Sequence, residues 1–215
     1  MTYTVKEAYY TLQGEGAQAG MAAVFCRFAG CNLWSGLERD REKAICQFCD
    51  TDFVGTDGEN GGKFETASAL ADHVAAVWSG SPDNCMVVFT GGEPLLQLDA
   101  PLIEALKDRH FRIAVETNGT IKAPDGIDWL CVSPKAGSDW IQRIGDELKL
   151  VYPQETLMPD SLGETDFAHY FLQPMDDPFG DKQIWAHRSK ATIDYIKTNP
   201  KWRLSVQSHK YLQIP

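Results

Sequence analysis

The stretch CMVVFTGGEP, at residues 85–94, indicates the fold more directly than any other part of the chain. Its first six residues are mostly apolar and fit a buried β-strand, which the following Gly-Gly-Glu-Pro ends. Four other predicted strands also end in polar positions, at Glu116, Ser133, Gln173 and Gln207. The carboxyl ends of parallel strands carry the active site in barrels and open α/β sheets, so these positions are predicted to lie around one site.

Predicted strands and helices alternate along the chain, which favours an α/β fold with a parallel sheet. Apolar or alternating runs predict strands at 21–29, 85–90, 112–116, 129–133, 148–152, 170–173 and 203–207. Helical spacing predicts three main helices, at 67–78, 101–109 and within 182–197. A complete (β/α)8 barrel takes about 250 residues, whereas this chain has 215. The predicted fold is therefore an abbreviated, partly open (β/α) barrel with about six parallel strands and three main helices.

The same spacing assigns individual residues of the helices. Thr66 is a predicted N-cap for the first helix, because its hydroxyl can accept a free backbone N–H of the first turn. In the third helix, Ile184, Ile193 and Ile196 are predicted to face the core. Within the strand at 21–29, alternation places Val24, Cys26 and Phe28 on one face and Phe25 and Arg27 on the other.

The composition bounds the class of function. Asp plus Glu number 30 and Lys plus Arg 20, so the formal net charge of −10 argues against nucleic-acid or anionic-membrane partners. No stretch approaches the roughly 18 apolar residues of a membrane span, and the first residues lack the apolar core of a signal peptide. We therefore expect a cytoplasmic protein with a single domain over 1–215, in which the six cysteines are thiols or metal ligands.

Three cysteines in a polar, loop-like segment form the pattern C-x14-C-x2-C: Cys31, Cys46 and Cys49. The other three fall in apolar strand runs and fit buried thiols: Cys26, Cys85 and Cys131. Three interpretations of the first group stay open. They are structural thiols, a zinc site that also uses Cys26, and a four-iron cluster held by three thiolates. The iron–sulfur interpretation leaves one iron without a protein ligand and free to bind a small chelating molecule. It therefore predicts that the chain also carries a binding site for the rest of that molecule.

The chain carries a motif suited to that second site. Gly91-Gly92-Glu93-Pro94, after a predicted strand, resembles the GGEP motif of the radical S-adenosylmethionine superfamily, whose glycines let the backbone approach the methionine group. Further segments resemble the 7-carboxy-7-deazaguanine synthase family: YTLQGEG at 10–16, FCRFAGCNL at 25–33, CDT at 49–51, SPK at 133–135 and QPM at 173–175. The resemblance spans nearly the whole chain and implies the radical S-adenosylmethionine version of the partly open barrel.

One segment departs from the usual superfamily pattern. Most members space their first two cysteines by three residues, whereas here the gap holds 14 residues, at 32–45. The charged run ERDREK within it predicts an exposed insertion inside the cysteine motif. Because loops tolerate added length at little cost, the insertion leaves the number of ligands unchanged.

The resemblance implies a carbon–nitrogen lyase that converts 6-carboxy-5,6,7,8-tetrahydropterin to 7-carboxy-7-deazaguanine with loss of ammonia. This ring contraction lies on the path to queuosine and related 7-deazapurines. The implied cofactors are a [4Fe–4S] cluster, S-adenosylmethionine and Mg²⁺. The implied partners are an external one-electron reductant of the flavodoxin or ferredoxin type and a second copy of the chain, as a homodimer. Two alternatives stay open: a glycyl-radical-enzyme activase and a non-catalytic, zinc-stabilised binding module.

The resemblance also assigns residues to each cofactor. Cys31, Cys46 and Cys49 are the predicted cluster ligands, and Thr51 is the predicted Mg²⁺ ligand, since hard cations prefer oxygen. S-adenosylmethionine is predicted to lie on the cysteine loop and on three strand ends: Phe48, Cys49, Asp50, Gly92, Ser133, Pro134, Lys135, Gln173, Pro174, Met175 and Asp176.

The predicted pterin site involves both ends of the chain: Leu12, Gln13, Gly14, Glu15, Arg27, Thr90 and Pro215. Arg27 would pair with the substrate carboxylate, because a guanidinium suits two-pronged carboxylate binding. Gln13 and Glu15 would bind the polar edge of the pterin, and Gly14 and Gly16 would let the backbone come close. The Pro215 carboxylate would accept pterin N–H groups.

Overall fold

The computed structural model describes residues 2–177 and 180–215. Its strands are β1 (Tyr3–Leu12), β2 (Ala22–Phe28), β3 (Gly62–Phe64), β4 (Met86–Gly91), β5 (Arg112–Thr117), β6 (Trp129–Val132), β7 (Ile144–Tyr152), β8 (Asp166–Pro174) and β9 (Arg203–Leu204). Its α-helices are α1 (Ala67–Val77), α2 (Ala100–Lys107), α3 (Lys182–Thr198) and α4 (Ser208–Leu212). In the described part of the chain, none of these helices combines the length and apolarity that crossing a bilayer requires.

The strands form a single open sheet in the order β3-β1-β2-β4-β5-β6-β7-β8-β9. From β2 to β9 every neighbouring pair is parallel, whereas β1 runs antiparallel to β2 and β3 antiparallel to β1. The predicted abbreviated, partly open barrel is confirmed, with seven parallel strands where about six were expected. Within the described ranges β3 and β9 each pair on one side only, so the sheet does not close.

Strands β1 and β3 are additions to the predicted set. β1 has no clean alternation of buried and exposed residues, because its pairing with β2 shifts register between Val5 and Glu7. A bulge of this kind breaks the two-residue period that the sequence would need to show. β3 has three residues, and its burial pattern holds no fully buried position. Both strands therefore lack the pattern that identifies the parallel strands.

The helices cover one face of the sheet and build the core there. α1 and α2 pack on each other and against β1, β2 and β5, and α3 packs against β8 and β9. In β2 the side chains of Cys26 and Phe28 are fully buried in this core, while Arg27 lies on the other face. The two faces of β2 separate as the alternation in the sequence predicts. The face with Arg27 lines a cavity at one end and packs into a second, smaller apolar cluster that contains Ala23 and Phe25.

The predicted helices form, with one correction in α3. Thr66 caps α1 by accepting the Ala69 N–H at 3.1 Å, as predicted. Ile196 packs against the core, but Ile184 and Ile193 are 40% and 39% exposed, so their predicted burial is wrong. α3 crosses only the last strands of the open sheet and therefore buries a narrow stripe, which contains small polar side chains instead: Ser189 and Thr192.

Candidate active site

A cavity of about 400 Å³ lies at the carboxyl ends of the parallel strands. Thr90, Gly91 and Gly92 line it from the end of β4, and Glu116, Ser133, Gln173 and Gln207 line it from the later strand ends. The five strand ends that the sequence identifies as polar therefore meet around one space. This is the arrangement expected for parallel sheets, in which free backbone groups and loop side chains converge beyond the last residue of each strand.

Most of the predicted site residues line this cavity. They are Leu12, Gln13, Gly14, Glu15, Arg27, Cys31, Cys46, Phe48, Cys49, Asp50, Thr51, Thr90, Gly92, Ser133, Lys135, Gln173, Pro174, Asp176 and Pro215. Two others lie outside the lining. Pro134 is buried behind it, and the Met175 N–H donates to the Tyr152 carbonyl at 2.8 Å, which extends the pairing of β7 and β8.

The three cysteines of the loop motif face this same space, and each is a free thiol: Cys31, Cys46 and Cys49. A hydrogen bond between the Cys46 and Cys49 thiols lowers the pKa of Cys49 to about 6 and raises that of Cys46. Burial raises the pKa of Cys31. A thiol already biased toward thiolate suits metal binding, because the thiolate is the form that ligates.

The four-cysteine zinc site is wrong. Cys26 lies in β2 with no exposed surface, within the apolar core beneath the helices, and burial alone raises its thiol pKa. Across residues 2–177 and 180–215, no three His, Cys, Asp or Glu side chains converge tightly enough to hold one metal ion. A four-iron cluster makes a different demand, since each thiolate binds a different iron and the ligands stand further apart. The donor set of three cavity thiols fits such a cluster.

The GGEP turn packs directly on the loop of the first cysteine. A Cβ atom at Gly92 would lie 2.2 Å from the Gly30 carbonyl oxygen and 2.5 Å from the Cys31 Cβ, so only glycine fits there. Gly91 has a φ of 132°, which also favours glycine. The glycines therefore bring the end of β4 and the cysteine loop together, leaving backbone groups at the cavity wall.

Glu93, the acidic residue of the same motif, turns away from the cavity and has no exposed surface. Its carboxylate accepts the Leu95 N–H at 2.9 Å, the Thr117 hydroxyl at 2.7 Å and the Asn118 N–H at 2.8 Å. Burial raises its pKa, and these hydrogen bonds act in the opposite direction. Glu93 thus fixes the end of β4 to the end of β5, a role that the sequence does not reveal.

A closed ring of hydrogen bonds forms another part of the wall. Lys149, on β7, donates to one oxygen of Glu15 and, at 2.6 Å, to one oxygen of Glu116. The Gln13 amide nitrogen donates to the other Glu116 oxygen at 3.1 Å, and the Gln13 amide oxygen accepts the Glu15 N–H at 3.0 Å. The ring joins the loop after β1 to strands β5 and β7, so the carboxylate oxygens of Glu15 and Glu116 are held in fixed positions.

The charges in this ring keep one another ionised. Burial opposes ionisation of Glu15, but Lys149 and then His209 outweigh it, so the pKa of Glu15 lies below its usual value. Burial likewise opposes the charge on Lys149, yet Glu116 and Glu15 hold its pKa well above the usual range. Burial raises the pKa of nearby Glu147. One lysine thus faces two carboxylates, which leaves this wall net negative and suited to ligand N–H groups.

Arg27 lies on β2 in the same cavity. Its Nε donates to the Glu7 carboxylate at 2.7 Å and one terminal nitrogen donates to the Tyr9 hydroxyl at 3.1 Å. Both partners also line the cavity. The guanidinium is therefore held by two neighbours on β1 while it faces the space in which the sequence places a substrate carboxylate.

The C-terminal segment covers part of the cavity through the loop after β1. Ser208 donates from both its N–H and its hydroxyl to the Gly14 carbonyl, at 3.0 and 2.7 Å. A Cβ at Gly14 would lie 2.4 Å from Nδ1 of His209, so glycine is required for this approach. Helix α4, which the sequence did not predict, thereby brings His209 to the wall.

Two further contacts fix this segment. Lys210 donates to Asp50, after the last cysteine, at 2.7 Å, and to Asp176, after β8. The Thr11 hydroxyl donates to a Pro215 backbone oxygen at 3.0 Å. The end of the chain is therefore ordered at the cavity rim, as the prediction for Pro215 requires.

Several cavity residues have no ligand or substrate role assigned from the sequence: Glu7, Tyr9, Glu116, Asn118, Lys149, His209 and Lys210. Glu116 and His209 lie in two of the polar strand-end segments, and that position is the sequence feature that could have assigned them to the site. Lys149 sits inside an apolar run, and only its pairing with residues far away in sequence identifies its role.

The chain is similar to known proteins over its full length. No family model matches the chain. A 7-carboxy-7-deazaguanine synthase of Caulobacter vibrioides is 61% identical over 215 residues, covering 100% of both chains. One of Bradyrhizobium diazoefficiens is 59% identical over 214 residues, again with 100% of both covered. The crystal structure of QueE from Escherichia coli superposes with a TM-score of 0.66 at 24% identity, covering 97% of this chain and 95% of that one. This last likeness shows the fold.

Proposed function

The chain belongs to the 7-carboxy-7-deazaguanine synthase family, and from that premise we propose which of its residues carry the reaction. It is a radical S-adenosylmethionine lyase that converts 6-carboxy-5,6,7,8-tetrahydropterin to 7-carboxy-7-deazaguanine with loss of ammonia, in queuosine and 7-deazapurine biosynthesis. One observation supports the assignment of its site: three free thiols, the GGEP turn and a carboxylate-lined wall share one cavity.

Cys31, Cys46 and Cys49 hold a [4Fe–4S] cluster in this proposal. Their free thiols face one cavity, and the lowered pKa of Cys49 favours the ligating thiolate. The bound cluster and S-adenosylmethionine supply a carbon radical that takes a hydrogen atom from the substrate. The protein's own task is to orient the two ligands and to keep water from them, and Leu33, Phe53 and other apolar side chains of the cavity serve that task.

Strand-end residues on one side of the cavity would hold S-adenosylmethionine. Gly92 lines the cavity beside Cys31, and its backbone would suit the amino group of S-adenosylmethionine. Lys135, whose Nζ donates to the Ser133 hydroxyl at 2.7 Å, supplies a positive charge for its carboxylate. The strand end at residues 173–176 and the loop residues Phe48 and Asp50 complete the site as proposed from sequence.

The pterin substrate lies against the ring formed by Gln13, Glu15, Glu116 and Lys149. Its amide and amine N–H groups match the carboxylate oxygens there, and Arg27 pairs with its carboxylate. Thr51 lines the same cavity and supplies an oxygen to Mg²⁺ beside that carboxylate.

The wider context rests on the family resemblance. The proposal includes an external one-electron reductant of the flavodoxin or ferredoxin type, a homodimer and a cytoplasmic location. Residues 1–215 act as a single domain, with the insertion at 32–45 as part of its cysteine motif. The net charge of −10 supports the absence of a nucleic-acid partner.

Turnover with the proposed substrate tests this function. The protein is reconstituted anaerobically with iron and sulfide, then mixed with S-adenosylmethionine, dithionite, Mg²⁺ and the carboxypterin. We expect 7-carboxy-7-deazaguanine and ammonia in equal amounts, with a lower rate after Mg²⁺ is chelated and recovery when it is added back. A reconstituted, brown protein that leaves the carboxypterin unchanged would contradict the proposal.

A further inference from the structure

The 14-residue insertion at 32–45 is folded onto the cysteine loop. Its first residues are buried, with Leu33 at 6% and Trp34 at 8% exposed, and the Trp34 ring meets Phe53 edge-on at 5.6 Å. Its last residues return to the same place, since the N–H groups of Ile45 and Cys46 point to the Leu33 carbonyl at 3.1 and 3.4 Å. The insertion is therefore largely exposed, as expected for its charged middle at Glu38–Lys43, while the buried Leu33 and Trp34 anchor it to the cysteine loop.

One side chain of that middle section reaches back into the cysteine loop. Arg41 Nη1 donates to the carbonyl oxygens of Gln47 and Cys49, at 2.8 and 3.0 Å. Its guanidinium stacks over the Trp34 ring at 4.2 Å and its side chain is 18% exposed. Its Nε faces the Glu38 carboxylate at 2.8 Å. Arg41 thus joins the insertion to both the middle and the end of the Cys-x-x-Cys segment.

These contacts restrain a segment with no regular secondary structure, residues 46–53. Backbone carbonyls in such a loop have no ladder partners, so a charged donor that binds two of them fixes the loop firmly. The aromatic ring below the guanidinium restricts Arg41 itself. Groups behind the ligands of a metal centre orient those ligands and tune the metal.

We propose that Arg41 is a positioning residue for the iron–sulfur cluster: it holds the Cys46–Cys49 loop in its ligating shape and places a positive charge behind it. This inference rests on the proposed function, because it requires that the three cysteines hold the cluster. It also gives the insertion a role, since a loop without it would not carry this guanidinium.

The charge has a consequence for reduction. Taking up one electron makes the cluster more negative, so a nearby positive charge favours the reduced state. Glu38 opposes this effect, but its side chain is 70% exposed and solvent screens it more than it screens Arg41. Removing the two charges one at a time should therefore shift the cluster potential in opposite directions.

Four variants of the full chain test the proposal: Arg41→Gln, Arg41→Lys, Glu38→Gln and, as the matched control, Arg39→Gln. Arg39 lies on the same short helix and its side chain is 80% exposed; among residues 2–177 and 180–215 its ion pair is with its neighbour Asp40, at 4.0 Å. Arg39→Gln therefore removes the same charge without touching the cysteine loop. Each protein is reconstituted anaerobically, and two properties are measured: the rate of iron release to a chelator and the midpoint potential followed by electron paramagnetic resonance.

We expect Arg41→Gln to release iron at least about 10-fold faster than the wild type, because losing a group behind metal ligands costs about 10- to 100-fold in affinity. Its midpoint potential should move to a more negative value, and that of Glu38→Gln to a more positive one. Arg41→Lys keeps the charge without the two-carbonyl geometry, so it should retain the potential and still release iron faster. Arg39→Gln should match the wild type in both properties.

Wild-type iron release and potential in Arg41→Gln would overturn the inference. If Arg41→Gln does not fold, Arg41→Lys decides alone, and unchanged iron release in that variant would also overturn it. Failure of the proposed function gives a different result, namely a wild-type protein that takes up no cluster at all.

Discussion

Two parts of the cavity wall are built in contrasting ways. The cysteine wall, made of Cys31 and residues 46–51, is irregular loop that carries three free thiols. The carboxylate wall, made of Gln13, Glu15, Glu116 and Lys149, is braced by β5 and β7 and is already closed by hydrogen bonds. The first wall therefore takes its shape from loop contacts, whereas the second is anchored on strands.

The two walls have different parts in the proposed reaction. In the cysteine wall the loop that carries Cys46 and Cys49 has no strand partners, and Arg41 holds it through the Gln47 and Cys49 carbonyls. The carboxylate wall keeps its shape, because moving Lys149 would leave buried carboxylates unpaired. In the proposal, the cofactors bind at the wall built from loop and the substrate is recognised at the wall anchored on strands.

The largest expected effect separates the cysteines of the wall from those of the core. Cys46→Ala should abolish turnover, because a cluster with two protein ligands is not held in place. Cys85→Ala is the matched control: Cys85 is buried in the apolar core at the start of β4 and should tolerate the change with turnover intact. Product formation by both variants after identical reconstitution is the measurement, and normal turnover by Cys46→Ala would contradict the division of roles.

The next effect tests the rigidity of the carboxylate wall. Lys149→Met should lower the free energy of unfolding by about 3 kcal/mol, because it leaves buried carboxylates without their partner. Lys190→Met is the control, since Lys190 forms an exposed ion pair with Asp194 and such pairs contribute less than about 1 kcal/mol. Urea unfolding of the apoprotein gives both values, and equal losses in the two variants would show that the ring is not a stabilising unit.

The pH dependence of that loss has a defined sign. The pKa of Glu15 is lowered in the folded state, so its contribution is present above its unfolded pKa of about 4.3 and is lost as the pH falls through the folded value. The raised pKa of Lys149 keeps its own contribution intact at neutral pH. The stability gap between wild type and Lys149→Met should therefore be constant from about pH 6 to 8 and narrow in acid.

These contrasts also show what the sequence can predict. The cysteine wall can be predicted from the sequence, because Cys31, Cys46 and Cys49 form a C-x14-C-x2-C pattern and the GGEP turn directly follows a predicted strand. The carboxylate wall can be predicted only in part, because Lys149 donates hydrogen bonds to Glu15 and Glu116, which lie 134 and 33 positions away in the sequence. Local patterns report on neighbours in sequence, and no such pattern marks a lysine that will be buried between distant carboxylates.

The same limit applies to the fold. Periodicity identifies the parallel strands because each is a short apolar run, whereas β1 loses its two-residue period at the bulge between Val5 and Glu7. The burial predicted for α3 is wrong for a related reason. Helical spacing identifies which side chains share a face of the helix, but it does not show how far the sheet extends beneath that face. The exposed Ile184 and Ile193 are the result.

A smaller effect is expected at Arg27, which we propose pairs with the substrate carboxylate. Arg27→Lys keeps the charge but loses one of the paired hydrogen bonds, which costs about 1.5 kcal/mol. We expect KM for the carboxypterin to rise about tenfold with kcat little changed, because the lost contact exists in both ground and transition states. Steady-state kinetics measure this, and an unchanged KM would remove Arg27 from the substrate site.

The smallest effect tests the bridge between the cysteine loop and β8. Lys210→Met removes ion pairs to Asp50 and Asp176 that are partly solvated, so it should cost no more than about 1 kcal/mol. That corresponds to a fall in Tm of about 2–4 °C for a chain of this size. A calorimetric scan measures it, and a much larger loss would mean that α4 is part of the core instead of a cover.

Metal and sulfide analysis of the anaerobically reconstituted protein, with electron paramagnetic resonance after reduction, tests the central claim most directly. We predict about four iron and four sulfide atoms per chain and the signal of a reduced four-iron cluster, all lost in Cys46→Ala and retained in Cys85→Ala. A colourless protein that binds zinc, or a Cys46→Ala variant with its cluster intact, would contradict the account of the cysteine wall.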